Sequence, residues 1–351
     1  MSLINSGQLT SSEVILLNAT VMAGLESAVS TITDVKAPKI ALMRDPVQEG
    51  GSGNALNKKI PTEIVFPFAP PTARAEDLST QDRPFHPLVR NVVRVAIRNF
   101  GVGYWISRKD FFNDIRGTLA SVPKLLARAA MKIPDIQLAA LLRNGKTTLD
   151  YTGTNAFATS KPNSVNGATS GVYGNLYTSR ALTASNLGYV ISQMMGRVGE
   201  DGMNLGVVPD TLIVPPSLYQ EAVIATSMRS VVYSHTAGVG NPAPGQATLT
   251  AAQGDNWIAL SGIIKSIVVL PELEEGNASI DKTTWYVAET QNPDRGGPVG
   301  LLCAAEPGFE FLTNLGPSDP DVFYKNRFSW ALERYVGVAF GMTNTLSRVE
   351  A

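Results

Sequence analysis

The stretch RNFGVGYWISRKDFFNDIRGTLASVPKLLARAAMKIPDIQLAALLRNG, from Arg98 to Gly145, organises the whole chain. In its second half Val122, Leu125, Leu126, Ala129, Ile133, Ile136 and Ala140 recur at steps of three and four. They therefore line one stripe of a 3.6-residue period. Ser121 is placed to cap this helix, and Pro123 suits its first turn, where a missing N–H goes unpaired anyway. Asn144-Gly145 predicts a left-handed stop, and Pro134, mid-helix, predicts a kink or a short break. From Leu119 to Asn144 the rod spans roughly 35–40 Å. A rod of that length needs broad surfaces laid against it.

The chain has 351 residues, 44% of them hydrophobic and 17% charged. That composition describes a folded protein with room for two medium domains or one elaborated one. The net charge of −1 gives no overall pull toward nucleic acid. The charges are unevenly spread. Residues 83–146 hold 12 Lys/Arg against 3 Asp/Glu, whereas residues 1–82 hold 6 against 9 and residues 147–351 hold 11 against 18. The basic middle is either a solvated face with ordinary pairing, or a surface for acidic neighbours or a polyanion. Cys303, the only cysteine, sits in the apolar run Val299-Gly300-Leu301-Leu302-Cys303-Ala304-Ala305 and reads as a buried, inert thiol. One cysteine forms no disulfide within the chain, which fits a reducing compartment. No signal-peptide pattern and no apolar run near the ~18 residues of a membrane span occurs, so the sequons at Asn18 and Asn277 read as chance matches in a cytosolic chain.

In chain order, residues 1–33 carry only Glu13 and Glu26 as charges. Val14, Leu17, Val21, Leu25 and Val29 predict an amphipathic arm whose apolar face needs a cover, from its own subunit or a neighbour. Val47–Lys59 is a Gly-rich linker. Ile60–Phe68, interrupted by Pro61 and Pro67, suits an edge strand. Leu88–Ile97 alternates Val89, Val93, Val95 and Ile97 against Arg90, Arg94 and Arg98, a half-buried strand with a basic face. The polar, Pro-rich segment between them predicts a hairpin with a long projecting tip that touches something else. Lys146–Ala181 reads as irregular surface with short strands. Ser185–Val198 predicts a helix through Leu187, Val190, Ile191 and Met194, ending at Gly199. Thr211–Val214 predicts a buried strand, followed by a helix over SLYQEAVIATSM. Ser230–Asn256 is a second long loop. Strands are expected at Ile263–Leu270, Thr284–Ala288 and Phe309–Leu312. A two-faced strand run is expected over Phe328–Met342, where Phe328, Trp330 and Leu332 alternate with Ser329, Ala331 and Glu333.

A search for chemistry finds little. Gly145-Lys146-Thr147 ends a helix and lacks the earlier glycine of a phosphate loop, since Ala140 stands there. His86 and His235 are the only histidines, no metal-ligand cluster is spaced for zinc, and no Gly-x-Ser-x-Gly elbow occurs. Glu272, Glu274 and Glu275 read as a charged surface run. Asp110 and Asp114 read as salt-bridge partners of Lys109 and Arg116. No catalytic, metal or cofactor-binding residue is assigned, and the chain is read as a structural part, not an enzyme.

Three blocks of sequence carry a resemblance. Gly103-Tyr104-Trp105-Ile106-Ser107-Arg108-Lys109-Asp110-Phe111 resembles the ISR-x-DF signature of Mu-like tailed-phage major head proteins. Pro123…Ala129-Ala130…Pro134-Asp135…Leu141-Leu142-Arg143-Asn144-Gly145 is similar to that family's helix, and Asp201-Gly202…Leu205-Gly206…Pro209-Asp210…Leu212-Ile213-Val214-Pro215-Pro216-Ser217-Leu218 to a third block. The chain departs where the family tends toward Asp-Gly…Phe-Phe…His-Pro, having Tyr151-Thr152-Gly153…Ala156-Phe157…Lys161-Pro162.

The resemblance implies an α+β, HK97-type capsid fold. Its parts would be an N-terminal arm at 1–57, an extended loop at 58–104, a peripheral domain at 105–182 and 305–336 with the spine helix near 119–144, and an axial domain at 183–304 and 337–351. It implies a major capsid protein that self-assembles through pentamers and hexamers into an icosahedral head, in the host cytoplasm. Expected partners are other copies of itself, packaged double-stranded DNA on the inner face, and scaffold, portal and decoration proteins, with no membrane and no cofactor. Phe66, Phe68, Arg83, Phe85, His86, Arg90, Arg94, Arg98, Trp105 and Arg108 are the subunit-interface candidates. A chain that starts at Met1 leads to the expectation that no propeptide is removed. An encapsulin-type nanocompartment shell, a tail or surface β-protein, and an enzyme of unfamiliar chemistry are the alternatives.

Overall fold

The computed structural model describes residues 27, 32, 34–46, 48–49, 58–59, 61–68, 91–112, 122–162, 172–199, 204–233, 252–276, 279–291, 298–306, 309–315 and 319–351. The predicted arm helix, the hairpin tip and the Ser121 cap lie outside them. In chain order the principal elements begin with α1 (Ala37–Ile40), β1 (Leu42–Arg44), β2 (Glu63–Phe68), β3 (Asn91–Ala96), β4 (Arg98–Ser107), α2 (Arg108–Phe112) and α3 (Val122–Arg143). They continue with β5 (Leu176–Tyr177), α4 (Ala184–Met195), β6 (Thr211–Val214), α5 (Tyr219–Ser227), α6 (Trp257–Ser261), β7 (Ser266–Val269) and β8 (Trp285–Ala288). The chain then forms β9 (Leu301–Ala305), β10 (Glu310–Asn314), α7 (Pro320–Lys325), β11 (Arg327–Phe340) and β12 (Leu346–Val349).

Strand β11 is the axis of the first sheet. Along one edge it pairs antiparallel with β4, from Arg327↔Ser107 to Val336↔Arg98. Along the other it takes β10 (Glu310↔Glu333 to Asn314↔Ser329) and then β9 (Leu301↔Phe340 to Ala305↔Val336), with β1 parallel beyond β9. The expected alternation holds: Phe328, Trp330 and Leu332 are buried, and they pack on Leu126, Ala127 and Ala130 of α3. The second sheet runs in the order β7-β6-β8-β12-β5. Its β6 is buried at every position, as its apolar sequence demands, and α4, α5 and α6 cover it through Leu187, Val190, Ile191, Ala222 and Ile258. Only residues 341–345 separate β11 from β12, so the two sheets are tied at one short joint.

Helix α3 forms, with two corrections to the sequence reading, in its buried stripe and its C-terminal end. Its 22 residues are unbroken at Pro134. The carbonyl of Ala130, which Pro134 cannot serve, instead accepts from Arg334 Nη1 at 3.3 Å, so the lost bond is replaced from β11. The buried stripe is rotated by about one residue. Leu126, Ala127, Ala130, Ile133, Leu138, Ala139 and Leu142 point inward, while Leu125 is 52% exposed. The helix also does not end in a left-handed glycine. Gly145 sits in a 3₁₀ turn over Asn144–Lys146, and the positive-φ glycines among the described residues are Gly153, Gly206 and Gly262. Glycine is required at 145 for space, because a Cβ there would collide with the rings of Phe157 and Phe340.

Lys146–Ala181 is not mere surface: Ala156, Phe157, Lys161 and Asn175 are buried. Glu272, expected on the surface, is also buried and lies 3.2 Å from Lys132 Nζ on α3. Glu274 accepts from the Ser217 N–H at 2.8 Å and its hydroxyl at 2.7 Å. The ends of the second long loop pair as a ladder, Ser230–Tyr233 with Ala252–Asp255.

Candidate assembly surfaces

The β2–β3 hairpin is two-faced because its sequence alternates. Ile64, Phe66, Val93 and Val95 point inward onto Val299, Leu302, Ala304 and Met342, and Arg44 holds the β2 backbone by donating to Val65 O at 2.7 Å. Its seat is close: Gly337 of β11 has no room for a Cβ against Ala96 O. The outward face keeps Val65 and Val92 exposed, with Val65 opposite Arg94 and Pro67 opposite Val92. The Arg94 side chain is 74% exposed and meets Glu63 at 3.6 Å. The edge strand expected at Ile60–Phe68 is present over Glu63–Phe68, paired among the described residues with β3 alone.

The second surface is the face of the β4–β11–β10 sheet turned away from α3. Gly101, Gly103 and Ala331 keep its middle low. Trp105, 63% exposed, and Leu312, 42% exposed, stand on either side, and the guanidinium of Arg327 lies 5.3 Å from the Trp105 ring centre. These residues border an open depression of about 460 Å³. Asp321 fixes its rim by accepting from Ser329 Oγ at 2.8 Å and Arg327 Nη2 at 3.1 Å. Those donors and Lys325 hold its carboxyl down at about 2, with the Ser329 hydroxyl the largest influence. Beside them, Phe323 and Tyr324 of α7 are exposed and stack edge-on at 5.0 Å. Glu310 and Glu333 face each other directly across β10 and β11. Asn99 Nδ2 donates to Glu333 at 2.8 Å, and no ion pair to either carboxylate is formed among the described residues.

A third apolar surface lies on α5 and α6, where Tyr219, Ile224, Met228, Trp257 and Leu260 are exposed. Trp, Tyr and Met left in the open are residue types that anchor interfaces.

Of the sequence-derived interface candidates, Arg94, Arg98 and Trp105 are exposed. Arg108 is half-buried, and its N–H donates to Asn326 O at 3.0 Å at the start of α2. Phe66 is buried beneath its own hairpin. Phe68 ends β2, its side chain not among those described, and Arg83, Phe85, His86 and Arg90 lie outside the described residues. Asp110 accepts from Ser107 Oγ at 2.6 Å while donating its own N–H back at 3.1 Å, a helix cap rather than the expected ion pair.

What sequence reasoning missed is polar and interior. Lys161 is fully buried, with Nζ donating to Asp150 Oδ2 at 2.5 Å, Asn155 O at 2.9 Å, Ala156 O at 3.1 Å and Thr343 Oγ1 at 3.0 Å. Burial lowers its pKa, while Asp150 pulls it back up. Arg197, also fully enclosed, bonds the Asn344 and Leu346 carbonyls and Ser347 Oγ. Together they tie residues 150–161 and Gly174 to the joint between the sheets. The departure Lys161-Pro162 from the head-protein pattern was the one available signal.

Among the described residues no acidic, Cys or His group is arranged to hold a metal, and no helix is long and apolar enough to cross a membrane. An exposed Trp105 on one sheet face and a hairpin whose outer face is exposed describe a building block.

A phage capsid protein family model matches residues 91–344. The chain belongs to that family. It is therefore a shell-forming protein of the virion, and its fold is the α+β HK97-type capsid fold. The chain is similar to the cyanophage Pam1 capsid (TM-score 0.51, 13% identity, covering 90% of this chain and 92% of that one). It is likewise similar to the procapsid of bacteriophage JBD30 (TM-score 0.50, 12% identity, covering 98% and 76%). No curated protein matches by sequence. Family membership favours the phage major capsid protein over an encapsulin-type compartment, and the 22-residue α3 rules out a tail β-protein without a long helix.

Proposed function

We propose that this capsid protein is the major head subunit of a Mu-like tailed phage, assembled in the host cytoplasm through pentamers and hexamers, with no catalytic role of its own. The division proposed is an arm at 1–57, an extended loop at 58–104, a peripheral domain at 105–182 and 305–336, and an axial domain at 183–304 and 337–351. The β2–β3 hairpin carries the reading. Only its inward face has a seat in the subunit, while residues 69–90 connect strands whose outer face is exposed. Such a hairpin makes sense lying over the peripheral domain of an adjacent copy. Weak contacts of this kind suffice, because a closed shell repeats each of them. Phe68, Arg83, Phe85, His86, Arg90, Arg94, Arg98, Trp105 and Arg108 are the residues assigned to subunit contacts, Phe66 being buried within its own subunit. Packaged DNA is assigned to the inner face, and scaffold, portal and decoration proteins to later encounters.

The test is electron microscopy of the purified chain beside one lacking Pro70–Arg83. The intact chain is expected to form rings or closed shells, and the deletion a folded subunit that forms none. Particles of normal size from the deletion would refute the projecting role.

A further inference from the structure

One subunit leaves a charge conflict open on the outer face of its β4–β11–β10 sheet. Glu310 and Glu333 stand directly opposite each other on antiparallel strands, where like charges destabilise a sheet. Asn99 is a neutral donor to one of them. Beside the carboxylates, Leu312 and Trp105 rise on either side of Ala331 and Gly103. A trough that sets Leu312, Ala331 and Gly103 beside two carboxylates, with Ser329, Asn314 and Arg327 along its far part, complements a strand bearing aliphatic side chains and one cation.

The same chain presents such a strand. Val65 and Val92 flank Arg94 on the outward face of the β2–β3 hairpin, and all three are exposed. The contact of Arg94 with Glu63 is at 3.6 Å and solvent-bathed, so it holds Arg94 only weakly.

We infer that the two faces are halves of one contact between copies: Val65 and Val92 of one subunit lie in the Trp105–Leu312 trough of the next, and Arg94 enters between Glu310 and Glu333. This rests on the shell reading above and adds to it the side chains that meet and the charge that fixes their register. The patches differ, so the contact runs head to tail and propagates around a ring instead of closing a pair.

The experiment compares the full chain with Arg94→Glu, with Glu310→Lys/Glu333→Lys, and with the triple variant. Arg94 and Glu310 are exposed and Glu333 is half-buried, so unassembled Arg94→Glu is expected to melt with wild type, and the other two variants to remain folded, with melting of the unassembled subunit as the control. Each one-sided reversal is expected to lower particle yield about tenfold or more, and the triple variant to recover most of it. A second measurement is independent of yield: Val65→Cys with Leu312→Cys, oxidised in assembled particles, is expected to give ladders of disulfide-linked subunits. Wild-type yield from either one-sided reversal, no recovery in the triple variant, or no ladder from intact particles would each overturn the contact while leaving the shell reading standing. A wild-type chain that forms no particles would overturn both.

Discussion

Replacing Lys161 with Met keeps the length of the side chain and removes its charge. Asp150, fully buried, is left with Thr152 and Thr343 as its donors, and the carbonyls of Asn155 and Ala156 lose a donor. Removing one partner of a buried ion pair costs about 3–5 kcal/mol, because the other charge stays behind without compensation. Typical total stabilities are about 5–15 kcal/mol, so the loss is a large share. For a chain of this length unfolding as one unit, it corresponds to a fall in Tm of about 4–7 °C. The assay is thermal and urea unfolding of the unassembled subunit, with Asp150→Asn and the double variant completing the cycle. The double variant is expected to be more stable than Lys161→Met alone, since no buried charge remains. A Lys161→Met midpoint within about 1 °C of wild type, or a double variant no better than the single, would refute the reasoning.

Gly145→Ala is expected to destabilise the subunit by about 1–3 kcal/mol, measured by urea unfolding, as the new methyl meets Phe157 and Phe340. Burial pushes the Cys303 thiol up to about 12, so iodoacetamide at pH 8 is expected to leave it unmodified in the folded subunit and to label it once urea unfolds the chain, as read by mass spectrometry. Asp321 is held at about 2 in the folded protein, below the ordinary carboxylate value of about 4. Its contribution to stability is therefore present above pH 4 and lost as pH falls toward 2. Asp321→Asn is expected to lower stability at neutral pH and to flatten that acid dependence, followed by unfolding between pH 2 and 5.

Elements whose cause is local were legible in the sequence. The alternation of Phe328, Trp330 and Leu332 fixed the faces of β11, and the periodicity of α4 placed Leu187, Ile191 and Met194 in the core. Hairpin pairing followed from Val93 and Val95. The errors share another origin. Leu125 faces solvent because the direction of burial along α3 is set by where β11 lies. Pro134 breaks nothing because Arg334, some 200 residues away, supplies the missing donor. Glu272 is interior because α3 brings Lys132 to it. Lys161 could not be found by composition, since beside Asp150 its acceptors are two main-chain carbonyls and one late threonine. The outer sheet face was visible as Trp105 and as the Ser329, Ala331 and Glu333 alternation, but the opposition of Glu310 and Glu333 was not, because it depends on register.

Both sheets depend on the last stretch of the chain. Strand β11 joins β4, β9 and β10, and β12 joins β8 and β5, so among the described residues β4 and β10 find their sheet partner only in β11 and β5 only in β12, whereas β6, β7 and β8 pair with one another. Translation must consequently deliver β11 before the first sheet closes. Nascent chains still on the ribosome carry open ladders and bare apolar strands, a state prone to sticking. Commitment of the first sheet to its native topology thus waits for residues 327–340.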